Sequence, residues 1–240
     1  MDNVVEIRNY SLKRGSFALK DVNLNVKRGE SFAVLGKTGS GKTMLLESIA
    51  GYYSDGSGDI LINGRKVTSL PVEERNIGFV YQDHGLFPHM TVFKNIAYGL
   101  FMRKMKKEEI RKKVEEISED FGISHILKQY PGTISGGEKQ RTAMARALIT
   151  KPEILLLDEP FSALDPATKE SVYTRFKAVK SEYRCPILFV THDFNEAVLL
   201  ADRIGIMDEG RLCGIRTPKT LFEPFENRRL NDFLGIGQDL

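Results

Sequence analysis

The residues best suited to chemistry begin at Gly36-Lys37-Thr38-Gly39-Ser40-Gly41-Lys42-Thr43. This stretch fits the pattern G-x-x-x-x-G-K-[ST] without a mismatch. Glycines at these positions let the backbone curl until successive N–H groups point inward as an anion nest. A helix starting at the end of the stretch adds its partial positive charge to the same point. Lys42 is then placed to reach the β- and γ-phosphates of a nucleotide, and the Thr43 hydroxyl to ligate Mg²⁺.

A second acidic signal follows. Ile154-Leu155-Leu156-Leu157 runs directly into Asp158-Glu159, a buried strand emerging at a site. In phosphate-loop enzymes such an Asp holds the Mg²⁺ shell. Strand alternation predicts that Asp158 faces the metal while Glu159 turns to the attacking water. A third signal, Ser135-Gly136-Gly137-Glu138-Lys139-Gln140, pairs a good N-cap with glycines that let phosphate approach the backbone. The chain thus carries two anion-binding helix starts about 90 residues apart.

These groups need elements to hold them. Val4–Asn9, Val22–Val26 and Ser31–Leu35 read as strands, separated by turn chemistry at Arg14-Gly15 and Lys27-Arg28-Gly29-Glu30. Met44–Ala50 reads as a helix. Asp59–Ile62 and Ile77–Tyr81 read as further strands with an Asn63-Gly64 hairpin signal between them. The pattern then turns helical over Thr91–Leu100 and Lys107–Phe121, where Ile110, Val114, Ile117 and Phe121 recur at helical spacing. The basic run Arg103 to Lys107 reads as a solvated helix start. Beyond residue 150 come Ile154–Leu157 (strand), Pro166–Ser181 (helix), Ile187–Val190 (strand), Phe194–Ala201 (helix) and Ile204–Met207 (strand). That alternation predicts an α/β fold with a mainly parallel sheet. The expected organisation is a phosphate-loop core with an N-terminal antiparallel β lobe (1–83 and 151–216) and an inserted helical subdomain (84–150). A helical tail (217–240) is expected to pack back through Phe222, Phe225 and Phe233.

Composition excludes other classes. With 240 residues, 41% hydrophobic and 28% charged, the chain is not a disordered one. A net charge of +3 gives no nucleic-acid footprint. No run of about 18 apolar residues occurs, so no transmembrane helix is expected. The start MDNVVEIRNY lacks the features of a secretory signal. Two cysteines, Cys185 and Cys213, make no disulfide framework and read as thiols of a reducing cytosol.

In order along the chain stand Gly36–Thr43, Gln82, Ser135–Gln140, Ile154–Glu159, Ser162-Ala163-Leu164-Asp165 and His192. Taken together they resemble the ATP-binding subunit of ABC transporters over essentially the whole chain. The resemblance implies a head-to-tail dimer of two such subunits sandwiching two ATP molecules. It implies that Ser135 and Gly137 act in trans on the partner's γ-phosphate, with Gly136 and Glu138 as further nucleotide-binding residues of the signature, and that Gln82 contacts Mg²⁺ and water. Glu159 is implied as general base, His192 as the γ-phosphate switch, and Asp165 as part of a loop coupling the two sites. The family's usual aromatic adenine contact is replaced by Arg14, with Phe17 or Tyr10 as substitutes. The signature begins with Ile134 and ends with Glu138 where Leu and Gln are commoner.

The stretch Gln82 to Leu100 resembles importer ATPases for sugars, ferric iron, sulfate and molybdate or tungstate, and the wider sequence is most similar to the last. Leu86, Phe87 and Tyr98 are expected to be exposed and to receive a helix of a membrane permease. A solute-binding protein is implied as an indirect partner, and a peripheral position on the cytoplasmic face of the membrane. The chain stops at 240, so no C-terminal regulatory β domain is expected. A soluble ABC-type ATPase is the alternative. A phosphate-loop kinase is a further one, and Ser135-Gly136-Gly137 argues against it.

Overall fold

A computed structural model describes residues 3–162 and 164–236. Among these residues, four strands form an antiparallel sheet in the order β2-β1-β4-β5. They are β1 (Asn3–Arg14), β2 (Phe17–Lys27), β4 (Ser57–Ile62) and the two-residue β5 (Arg65–Lys66). A second sheet has six strands in the order β10-β9-β3-β8-β7-β6. It holds β3 (Ser31–Leu35), β6 (Ile77–Val80), β7 (Ile154–Asp158), β8 (Ile187–Thr191), β9 (Arg203–Asp208) and β10 (Arg211–Arg216). All neighbours in this sheet are parallel except β9 and β10.

The central strands are apolar throughout because both faces are covered. Side chains alternate between two cores. Phe32, Val34, Leu156 and Val190 face a cluster shared with the antiparallel lobe and helix α1 (Lys42–Ala50). Ala33, Leu35, Leu155, Leu157 and Phe189 face the other cluster. That second cluster contains residues of α2 (Val92–Met102), α3 (Lys107–Asp120) and α4 (Gly136–Leu148). It also takes residues of α5 (Pro166–Tyr183), α6 (Phe194–Leu200) and α7 (Arg228–Leu234). The helical segment therefore has no core of its own; it shares one with the sheet.

Helix α1 is held at its C-terminal end by Arg75, which is 2% exposed. Its guanidinium donates to the carbonyls of Ser48, Ile49, Thr68 and Leu70 at 2.8–2.9 Å. Two of these, Ser48 and Ile49, belong to the last helical turn, whose carbonyls a cation satisfies well.

Three expectations need correction. The Asn63-Gly64 turn does not lead to Ile77; it closes the short β4–β5 hairpin, while β6 pairs in parallel with β7 in the other sheet. Strand β10 was not foreseen. Glu209 and Gly210 at its start have φ of 44° and 78°, the two positive values of a tight hairpin turn. In the tail, Phe225 and Phe233 pack against the large cluster, but Phe222 is 52% exposed. One helix, α7, stands among the described residues of the tail where several short helices were expected.

Candidate active site

Strand β3 delivers Gly36 into a space with no room for a side chain. A Cβ there would lie 2.4 Å from the Met207 carbonyl oxygen. Gly41 has φ 103°, and a Cβ on it would meet the Phe17 ring at 2.9 Å. The same Gly41 is the N-cap of α1 and provides no side-chain acceptor. Thr91, Ser135, Asp193 and Asn227, by contrast, all cap their helices with side chains. The first amides of α1 thus keep their donors for an anion. Lys37, Thr38 and Gly39 are exposed, whereas Ser40 is buried. The Ser40 carbonyl accepts from Gly210 N–H at 3.0 Å, which ties the loop to the β9–β10 turn.

Lys42 is only 5% exposed. Its ammonium donates to the carbonyls of Gly36 (2.8 Å) and Lys37 (3.0 Å) and lies 4.0 Å from Glu159 Oε1. Burial pushes its pKa down, with Glu159 and Asp158 opposing. Thr43 Oγ1 donates to Asp158 Oδ1 at 3.1 Å across 115 residues of sequence. Burial raises the Asp158 pKa, against the Thr43 hydrogen bond. This hydroxyl and carboxylate are the hard-oxygen pair that Mg²⁺ takes when phosphate oxygens and water complete its shell. No cluster of three His, Cys, Asp or Glu among the described residues could hold a metal by itself.

Glu159 is directed by its backbone rather than by strand alternation. β7 ends at Asp158, and Glu159 has φ 40°, a left-handed conformation costing about 1 kcal/mol. Its N–H donates to Val190 O at 3.1 Å, and its carbonyl accepts from Ser162 N–H (3.2 Å) and Oγ (2.9 Å). The carboxylate so aimed meets His192 Nδ1 at 3.2 Å. His192 follows β8, and its side chain is 55% exposed.

Other expected residues stand apart. Gln82 is exposed, and among the described residues no hydrogen bond joins it to Thr43 or Asp158. Ser135 caps α4 in a capping box: its N–H and hydroxyl both donate to Glu138 Oε2 at 2.8 Å. These bonds hold the Glu138 carboxyl below its ordinary pKa, and His125 lies 3.2 Å from its other oxygen. Gly136 is exposed and Gly137 buried. Among the described residues no hydrogen bond joins 135–138 to 36–43. Ala163, in the Ser162–Asp165 stretch, lies outside the described residues.

The adenine expectation changes. Arg14 forms a two-pronged pair with Asp55 and lies 4.6 Å from the centre of the Tyr53 ring. Its guanidinium is already engaged by that carboxylate and ring. Tyr10 is fully buried. Phe17, half-buried against Gly41, is the one of the three whose ring reaches the phosphate loop. Leu86, Phe87 and Tyr98 are half-buried rather than exposed: Leu86 packs on the large core and the Phe87 ring lies 4.6 Å from that of Tyr98, tilted by 45°.

The raised pKa of Asp158 has a measurable consequence. A carboxyl whose folded pKa lies above its unfolded value destabilises the fold once pH passes the unfolded value, near 3.8. Asp158→Asn keeps an acceptor for Thr43 and removes that charge. The variant is expected to melt higher than the native chain at pH 7 without nucleotide, and the gap should vanish below pH 3.8. Saturating Mg·ATP is expected to reverse the order in thermal melts, because a carboxylate is a far better Mg²⁺ ligand than an amide. Hydrolysis is expected to fall by about 10²-fold or more.

The fold and these groups define a phosphate-loop nucleotide hydrolase. A profile of the ABC transporter family matches residues 19–162. The chain is 44% identical to the molybdate/tungstate import ATP-binding protein of Pyrococcus horikoshii, over 97% of this chain and 68% of that one. Identity to the protein of the same description from Thermococcus kodakarensis is 46%, over 97% and 71%. A sulfate/thiosulfate import ATP-binding protein of Shewanella oneidensis is 42% identical, over 96% and 63%. Among solved structures, cbiO1 from Clostridium perfringens, part of an ABC transporter complex, superposes with a TM-score of 0.85 at 29% identity. That match covers 98% of this chain and all of the other. The chain belongs to the ABC transporter family, as an ATP-binding subunit whose ATPase activity is coupled to transport. Among the described residues no helix is long and apolar enough to cross a membrane.

Proposed function

We propose that the chain binds Mg·ATP at the phosphate loop, hydrolyses it in a head-to-tail dimer, and so powers import of an oxyanion, molybdate or tungstate. The observation that carries the catalytic part is the convergence of Lys42, Thr43, Asp158, Glu159 and His192, with Ser135 outside it. In this reading the α1 amides and Lys42 hold the phosphates. Thr43 and Asp158 hold Mg²⁺, and Gln82 joins them on closure. When bound, Mg²⁺ supplies charge neutralisation at the phosphate oxygens. Glu159 accepts the proton of the attacking water, and His192 donates to the γ-phosphate. The partner copy's signature residues, equivalent to Ser135, Gly136 and Gly137, close the site over the γ-phosphate. Neither half is complete alone, so hydrolysis follows dimer closure. In this reading the chain divides into a core-plus-lobe (1–83 and 151–216), a helical subdomain with the signature residues (84–150) and a tail (217–240).

The oxyanion assignment is supported by the 44–46% identity to molybdate/tungstate import subunits. The permease docks beside residues 84–100, next to the half-buried Phe87–Tyr98 pair, and the chain sits on the cytoplasmic face of the membrane. A solute-binding protein acts through that permease. With the cognate permease in vesicles, the ATPase rate is expected to rise about tenfold on adding binding protein loaded with tungstate or molybdate. Stimulation by sulfate, ferric iron or a sugar in their place would overturn the solute assignment and leave the ATPase assignment standing.

A further inference from the structure

His192 is placed by a buried network that the reaction itself does not use. Its imidazole is more than half exposed and touches Glu159, so its aim depends on the backbone of 191–193. That backbone is pinned through Thr191, which is 2% exposed. Thr191 Oγ1 accepts from Asp193 N–H at 3.0 Å and donates to Glu196 Oε2 at 2.6 Å. Glu196, on α6, is a carboxylate only 3% exposed. Its other oxygen accepts from Lys169 Nζ at 2.9 Å and from the Tyr173 hydroxyl at 3.2 Å.

Lys169 and Tyr173 belong to α5, the helix that follows the 159–165 loop. Lys169 N–H donates to the Asp165 carbonyl at 2.9 Å, and the Tyr173 ring packs edge-on against Phe161 at 4.9 Å. Ser162 in the same loop holds the Glu159 carbonyl. The contacts therefore close a ring: Glu159, the 159–165 loop, α5, Glu196, Thr191, His192, and back to Glu159.

An ion pair whose carboxylate is buried and whose lysine is partly exposed is weak support for stability, because desolvation offsets most of the attraction. What it supplies is a definite geometry, since every lone pair engaged restricts the backbone between strand and helix. We infer that Glu196 is a positioning residue for His192, and that through Lys169 and Tyr173 it makes the aim of His192 depend on the conformation of the 159–165 loop. A shift of that loop, which borders Glu159, would move α5 and with it the histidine.

This role rests on the assignment of His192 to the γ-phosphate, and the test separates the two. Glu196→Gln keeps the shape and removes the charge. Thr191→Val, isosteric and apolar, cuts the same link from the other end and guards against a Glu196 variant that does not fold. Both are expected to lower kcat about tenfold, with KM for Mg·ATP changed less than twofold. Thr191→Ser, which keeps the hydroxyl, should restore kcat. In a His192→Ala background, Glu196→Gln should cost nothing further, because its effect passes through the missing imidazole. A further tenfold loss in that background, or native kcat in both single variants, would overturn the inference while the ATPase reading stands. Native kcat in His192→Ala alone would overturn the assignment of His192, and the inference with it.

Discussion

Lys42→Met is expected to weaken Mg·ATP binding by about 10²–10³-fold while leaving the fold at least as stable as before. The ammonium is nearly buried, and two loop carbonyls are its closest partners. Burial lowers its pKa from 10.5. A lysine whose folded pKa lies below its unfolded value penalises the fold at neutral pH. The penalty fades only as pH rises past the depressed pKa toward 10.5. Methionine fills the stem's volume without that charge. Calorimetric titration with Mg·ATP and a thermal melt check the two halves separately. Undiminished binding would remove Lys42 from the phosphate site.

The same variant tests how the two active sites are assembled. Ser135→Arg should also be inactive, because a bulky cation stands where the partner's γ-phosphate must sit, yet its own phosphate loop is intact. In a head-to-tail dimer of Lys42→Met with Ser135→Arg, one site collects both defects and the other collects none. Mixing the two inactive chains should therefore restore activity, up to about a quarter of the native rate for random pairing into closed dimers. If Ser135 served its own chain's nucleotide, the mixture would stay inactive.

Glu159→Gln is expected to lower kcat by about 10²–10⁴-fold with nucleotide affinity retained. Glutamine can still approach His192 but cannot take a proton from water. The left-handed backbone at φ 40° suits either residue equally, so the fold should not notice the change. With hydrolysis blocked, Mg·ATP should accumulate the closed dimer. Light scattering should then report twice the 27.1 kDa chain mass in the presence of Mg·ATP and the single mass without it. Hydrolysis at the native rate would exclude Glu159 as the base.

Much of this site is written in local stretches of chain. The Gly36–Thr43 turn, the buried strands β3, β7 and β8, and the Ser135 cap follow from residue type and spacing over a few positions. Glycine's conformational freedom, apolar runs and capping chemistry act at that range. Helices α1, α2, α3, α5 and α6 are legible in the same way, to within two or three residues at their ends, whereas the single α7 of the tail is not. Arg14 was recognisable as an odd residue at the base position. Its capture by Asp55 and Tyr53, 41 and 39 positions away, was not.

The amino-acid sequence by itself determined the kind of chemistry: a phosphate nest, a capped glycine turn and an acidic strand end can serve little else in that order. The tertiary structure alone decided which groups meet. Thr43 reaches Asp158, Glu159 reaches His192, and Glu196 closes on Lys169 and Tyr173 only because the sheet runs β10-β9-β3-β8-β7-β6. That order sets β7 and β3 on either side of β8, so residues over 100 apart share one edge. The physical reason is that local propensities act over a few residues. Strand order is settled by how both faces of a whole sheet become buried at once.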